Sequence, residues 1–188
     1  PVRRPVINLE PAYERHGRVD SVGRWTAADV RTAMWWSLLG GATAGMGYGA
    51  HGMWSWHRPG GHFLAEDASG TPFDWRTALS FPGAGDVALL RALWEQHALY
   101  ALEPAQDLFV GGPAGTRVAR RSGDGPVAVF VPYAAPVRLA LRPDGLTAHG
   151  WDLERRVPVH ARLDGDGAGL VVDRLDTAGD AVLFLERR

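Results

Sequence analysis

The spacing of apolar and polar positions changes part-way along this 188-residue chain. Near the start, the short apolar run Pro5-Val6-Ile7-Asn8-Leu9 ends on Glu10 and opens into Pro11-Ala12-Tyr13-Glu14, which predicts a strand with a loop at its tip. Thr26 with Asp29 three residues later forms an approximate capping box, and Val30, Ala33, Met34, Ser37 and Leu38 follow at helical spacing. Gly40-Gly41 stops that helix. Residues 42–50 predict a second buried strand whose glycines permit close backbone approach, and it runs into His51-Gly52-Met53-Trp54-Ser55-Trp56. In extended backbone Trp54 and Trp56 would share one side. A long loop over 57–82 follows. Asp86 is then expected to cap a second helix carrying Val87, Leu90, Leu93, Trp94, His97 and Ala101 along one side, with Pro104 as its stop.

From about residue 106 the period becomes two. Val127, Val129 and Val131 alternate with Ala128, Phe130 and Pro132, and Val137, Leu139 and Leu141 form the next run. Arg142-Pro143-Asp144-Gly145 is a turn, Pro presetting φ and Gly accepting a positive one. Further runs cover about 157–163, 169–173 and 181–186, with Asp164-Gly165-Asp166-Gly167 as a hairpin turn. Short strands at this spacing predict a small antiparallel β-sandwich. Seven of the eight Trp lie at or before Trp94, which puts a boundary near residue 104 and predicts two parts, 1–104 and 105–188.

Composition narrows the chemistry. With a formal net charge of −1 there is no electrostatic reason to expect nucleic acid or a membrane surface as partner. All 20 basic residues are Arg, so lysine Schiff-base chemistry is excluded, and the absence of Cys excludes disulfides and thiolate sites. His51, His57 and His62 with Glu66 or Asp67 match no zinc spacing, and Asp164 and Asp166 lack the downstream Glu of a calcium loop, so no metal or other cofactor is expected.

Strand, acidic tip, helix, strand and aromatic tip is the order in which a (β/α)8 barrel builds an active site from strand ends. A carboxylate on one tip beside Trp and His on the next suits carbohydrate chemistry. Glu10 has a catalytic reading, a nucleophile attacking an anomeric carbon, and a structural one, either a plain surface carboxylate or a Glu capping the next helix. Tyr13 can donate a hydrogen bond to Glu10, and Glu14 can bind sugar hydroxyls or be an ordinary loop residue. On the second tip His51 can bond a hydroxyl and Trp56 can stack on a sugar face, with Trp54 as site or core. Of the mid-helix pair Trp35-Trp36, one is expected in the core.

These residues resemble the apiosidase-like glycoside hydrolases, a (β/α)8 family with a C-terminal β-sandwich often labelled collagen-binding. The resemblance lies in Pro5 to Glu14, in Asp29-Val30-Arg31 with Trp35, in Gly41 to Gly45, in Tyr48 to Trp54, and in Trp75 with Leu79-Ser80-Phe81-Pro82-Gly83-Ala84. It implies the C-terminal portion of the barrel, strands 7 and 8 with their helices, followed by the sandwich. It implies a retaining mechanism with Glu10 as nucleophile, a carbohydrate substrate, and an acid/base carboxylate on an earlier strand upstream of Pro1, so the chain alone would be incomplete and inactive. Ala12 stands where the family has Cys. The alternative from a different class is a non-catalytic polymer-binding sandwich on a structural mount.

Overall fold

The computed structural model describes residues 4–19, 22–64, 66–123, 125–165, 169–177 and 179–187. Strand β1 (Ile7–Asn8) runs parallel to β2 (Gly45–Met46), and an isolated parallel bridge between Glu14 and Ala50 extends the pairing. Helix α1 (Ala27–Leu39) joins them. Its start follows from the sequence: Thr26 Oγ1 accepts from the Asp29 amide, and Asp29 Oδ2 accepts from the Thr26 amide. Gly40 caps the other end. Val30, Met34, Trp35, Leu38 and Leu39 point inward. Trp36 points outward, its indole N–H donating to the Gly115 carbonyl at 2.8 Å under the Arg117 guanidinium.

The second strand is shorter than expected. Of residues 42–50 only Gly45–Met46 and the Ala50 bridge pair as strand, although the Gly47 amide still donates to the Asn8 carbonyl and the Gly49 carbonyl accepts from the Glu14 amide, both at 2.8 Å. A Cβ on Gly49 would lie 2.6 Å from the Tyr13 ring. The long loop holds two short helices, α2 (Glu66–Ser69) and α3 (Trp75–Ala78). The next helix, α4 (Gly83–Gln96), begins before Asp86, which sits in its first turn and does not cap it. It also ends before Pro104. Ala98 adopts a left-handed backbone (φ 49°), a turn of 3-10 helix covers Leu99–Ala101, and Leu102–Pro104 is strand β3. Pro104 thus lies on a sheet edge, where a missing N–H is tolerated.

Two antiparallel sheets follow. The strands are β4 (Phe109–Gly111), β5 (Arg117–Arg121), β6 (Val127–Val131), β7 (Val137–Leu139), β8 (Leu146–Asp152), β9 (Val157–Val159), β10 (Ala161–Gly165), β11 (Leu170–Leu175) and β12 (Ala181–Arg187). A six-stranded sheet has the order β3-β5-β6-β12-β8-β9 and a four-stranded sheet the order β10-β11-β7-β4. The turn at 142–145 forms, with Gly145 at φ 72°, and carries the chain from one sheet to the other. The tip of the β10–β11 hairpin, with Asp166 and Gly167, lies outside the described residues.

All five residues of β6 are buried because both of its faces are covered. Val127, Val129 and Val131 join Leu139, Leu170 and Val172 in a core shared by the two sheets. Ala128 and Phe130, with Val182 and Phe184 of β12, meet Met34, Trp35, Leu38, Leu90 and Leu93 of α1 and α4 in a second core. The order of layers is therefore helices, six-stranded sheet, four-stranded sheet. Among the described residues the strands close no barrel, and no helix is long and apolar enough to cross a membrane. Val6, Ile7 and Leu9 lie exposed along β1, and a cleft of about 350 Å³ runs beside β2, lined by Met34, Met46, Leu90 and Trp94.

Candidate active site

Glu10 lies exposed at the tip of β1. Asn8 anchors the approach: its side-chain Nδ2 donates to Ser37 Oγ on α1 at 2.8 Å, while its side-chain Oδ1 accepts from the Glu10 amide at 3.3 Å. The Tyr13 hydroxyl donates to Glu10 Oε1 at 3.3 Å. Partial burial, then the Glu10 charge and the hydrogen bond to it, raise the Tyr13 pKa, so Tyr13 remains a proton donor at neutral pH. The carboxylate is thus held from one side and open to solvent on the other.

Glu14 and His51, read from sequence as sugar ligands, are both fully buried. Glu14 Oε2 accepts from the Tyr48 hydroxyl at 2.7 Å and from the Gly83 amide, at the start of α4, at 3.0 Å. A carboxylate at a helix N-terminus is electrostatically favoured. Its Oε1 is buried with no hydrogen-bond partner among the described residues. Burial, then the bond from its hydroxyl to Glu14, pushes Tyr48 far above the usual phenol range.

His51 Nδ1 lies 3.0 Å from Arg24 Nη1. Arginine only donates, so the shorter Nδ1 contact, to Arg24 rather than to the Arg15 carbonyl at 3.3 Å, favours Nδ1 as acceptor with the ring proton on Nε2, toward Ser69 Oγ at 3.5 Å. Arg24 also donates to the Arg15 and Thr71 carbonyls and so ties the first tip to the loop. Rings connect Tyr13 to His16 (6.3 Å), His16 to His51 (5.0 Å), His51 to Trp54 (6.0 Å, stacked) and Trp54 to Phe63 (5.1 Å).

Residues 51–56 form turns rather than extended chain, so Trp54 and Trp56 do not share a side as expected. Trp54 covers His51. Trp56, 66% exposed and at φ 47°, packs edge-on at 5.1 Å against Trp75, over which Arg76 lies at 4.4 Å. A left-handed backbone is uncommon for so bulky a residue and persists where the surroundings impose it. The structure therefore joins Glu10 with Tyr13, places Glu14 and His51 beneath them, and sets Trp56 in a separate aromatic pair. Asn8 and Tyr48 lie inside the motifs read from the sequence but have no site role there, and nothing in its spacing marks Arg24. Among the described residues no group of three His, Cys, Asp or Glu is placed to hold a metal ion.

Burial, foremost, holds the His51 pKa down at about 4; His16, Arg24 and His57 nearby add to this, against the Arg15 carbonyl. The unfolded chain takes up this proton near pH 6.5, before the folded chain does. The stabilisation is therefore complete above pH 6.5 and is lost as pH falls toward 4, by roughly 3 kcal/mol. Urea melts at pH 7.5, 5.5 and 4.5 are expected to show this fall, and His51→Gln to flatten it. The slope that remains comes in part from His97, also lowered by burial.

A family model described as "Apiosidase-like, catalytic domain" matches residues 1–101. No curated protein matches the chain. Two solved structures align with 98% of it: one described as a glycoside hydrolase, at TM-score 0.75 and 20% identity, and one as a glycoside hydrolase family 5 protein from Bacteroides vulgatus, at TM-score 0.76 and 22% identity. The chain spans 42% of each of them, and at these identities the likeness concerns the fold. The matched family segment runs from before β1 through α4 and carries the Glu10–Tyr13 tip, and on that match the chain belongs to the apiosidase-like family.

Proposed function

We propose that this chain is the C-terminal part of a retaining glycoside hydrolase in which Glu10 is the nucleophile. The observation that carries the reading is the Glu10 carboxylate itself, exposed on a strand tip and held by the Tyr13 hydroxyl at 3.3 Å. In such a reaction the carboxylate attacks the anomeric carbon of a glycan while a second carboxylic acid protonates the leaving oxygen. Water then hydrolyses the glycosyl-enzyme ester. The two carboxyl groups must stand about 5–5.5 Å apart. Glu14 does not supply the second, because its carboxylate is buried against Tyr48 and Gly83. The acid/base belongs to an earlier strand of a (β/α)8 barrel, in which β1 and β2 are strands 7 and 8.

The open edges of the β1–β2 pair and the apolar cleft beside β2 support that placement. So does the length of the aligned structures. Residues 1–104 are then barrel and 105–188 a β-sandwich, with β3 just before that boundary adding an edge strand to the six-stranded sheet that braces α1 and α4. Trp56 and Trp75 offer stacking faces for further sugar units. Trp151 packs against the helix core instead of facing solvent, which does not favour a polymer-binding role for the sandwich.

Proton NMR of the first-formed sugar tests the mechanism. The full-length hydrolase is expected to release product with the anomeric configuration of its substrate. Release of the opposite anomer would rule out a glycosyl-enzyme on Glu10.

A further inference from the structure

The turn between β8 and β9 has no part in the chemistry above, yet it reaches the same helix end as the tip loop. Buried Asp152 builds the turn, accepting from the Arg155 amide at 2.7 Å and the Thr177 hydroxyl at 2.8 Å. Arg156 follows in left-handed backbone at φ 58°, a conformation that the surroundings must enforce in a non-glycine residue. Its guanidinium lies across the first turn of α4: Nε donates to Asp86 Oδ1 at 2.9 Å and Nη2 to the Pro82 carbonyl at 2.6 Å. Gly85 leaves the room for it, since a Cβ there would lie 2.6 Å from the guanidinium carbon.

The residue after Pro82 is Gly83, whose amide donates to Glu14 Oε2. A Cβ on Gly83 would overlap that carboxylate. One helical turn is thus gripped from the sheet side by Arg156 and from the tip side by Glu14. Glu14 adjoins Tyr13, which holds Glu10.

We infer that Arg156 is a positioning residue for the tip loop. By fixing the Pro82 carbonyl and Asp86 it sets where the Gly83 amide stands, and through Glu14 and Tyr13 where Glu10 stands. Its catalytic consequence rests on the hydrolase reading; the mechanical coupling does not.

Amide hydrogen exchange on the 188-residue chain tests the coupling. In Arg156→Gln, the Gly83 and Glu14 amides are expected to exchange about tenfold faster, the effect of one lost charge-assisted hydrogen bond, while those of Val182 and Leu183 in β12 stay at the wild-type rate. Arg156→Lys, which keeps the charge but not the two-pronged fork, recovers part of the protection. A uniform change over α4 and β12, or none, overturns the inference. In the full-length hydrolase, Arg156→Gln is expected to lower kcat several-fold with KM unchanged. Faster exchange at Gly83 with unaltered kcat overturns the catalytic half. A wild type that cleaves no glycoside points to failure of the hydrolase reading, and the exchange rates still decide the coupling.

Discussion

In the full-length hydrolase, Glu10→Gln is expected to lower kcat by at least about four orders of magnitude while leaving the melting temperature unchanged. An amide of the same shape cannot form the glycosyl ester, so the loss falls on the bond-forming step. The fold is indifferent to the change for reasons visible at the site. Glu10 is exposed, and its carboxylate receives the Tyr13 hydroxyl at 3.3 Å, which an amide oxygen also accepts. Kinetics on an aryl glycoside beside a thermal melt separate the two effects. Equal loss of activity and of folding would mean that Glu10 is structural, as in its helix-capping alternative.

Arg31→Met is expected to cost about 3–5 kcal/mol of stability, the penalty for leaving a buried charge unpaired. Arg31, on α1, donates from Nε and Nη2 to the two oxygens of Asp180 at 2.7 and 3.0 Å, and from Nη1 to Asp86 of α4 at 2.9 Å. All three residues are buried. Burial opposes the Arg31 charge, but the bonds to Asp180 and Asp86 outweigh it and raise its pKa. Burial also pushes the Asp180 carboxyl up, and there it prevails over the pull of Arg31. The two-pronged short contact favours the ion pair at neutral pH. Removing Arg31 strands Asp180, while Asp86 keeps Arg156. Arg31→Met with Asp180→Leu is therefore expected to regain most of the loss, because an apolar pair leaves no charge behind. Urea melts of the single and double variants measure both terms. A cost below about 1 kcal/mol for the single variant would show that the cluster does not hold the layers together.

Helix α1 was legible because its signals are local: the Thr26–Asp29 box, the inward stripe through Val30, Met34 and Leu38, and Gly40 at the end. The far end of α4 was not, because the stop is made by Ala98 in left-handed backbone, which no glycine announces. Alternation along Val127 to Val131 identified a strand. It did not reveal that Phe130 and Ala128 face a helix layer, since apolar residues on both faces read the same whatever covers them. The β-rich half reads from the sequence as a domain over 105–188; its six-stranded sheet packs on α1 and α4 and takes in β3, which lies just before that boundary.

At the site, Glu10 and Tyr13 stand three residues apart and could be paired by inspection. The burial of Glu14 and His51 depends on Tyr48, Gly83 and Arg24, which the fold brings together from distant segments. The Arg31–Asp180 pair bridges 149 positions, beyond the reach of any local pattern.

The most direct test of the account is covalent trapping. The full-length hydrolase would be incubated with a 2-deoxy-2-fluoro glycoside bearing a good leaving group, digested, and its peptides weighed. The account predicts one added fluorosugar on the peptide containing Glu10, absent from Glu10→Gln. A label on another carboxylate in an active enzyme would contradict it.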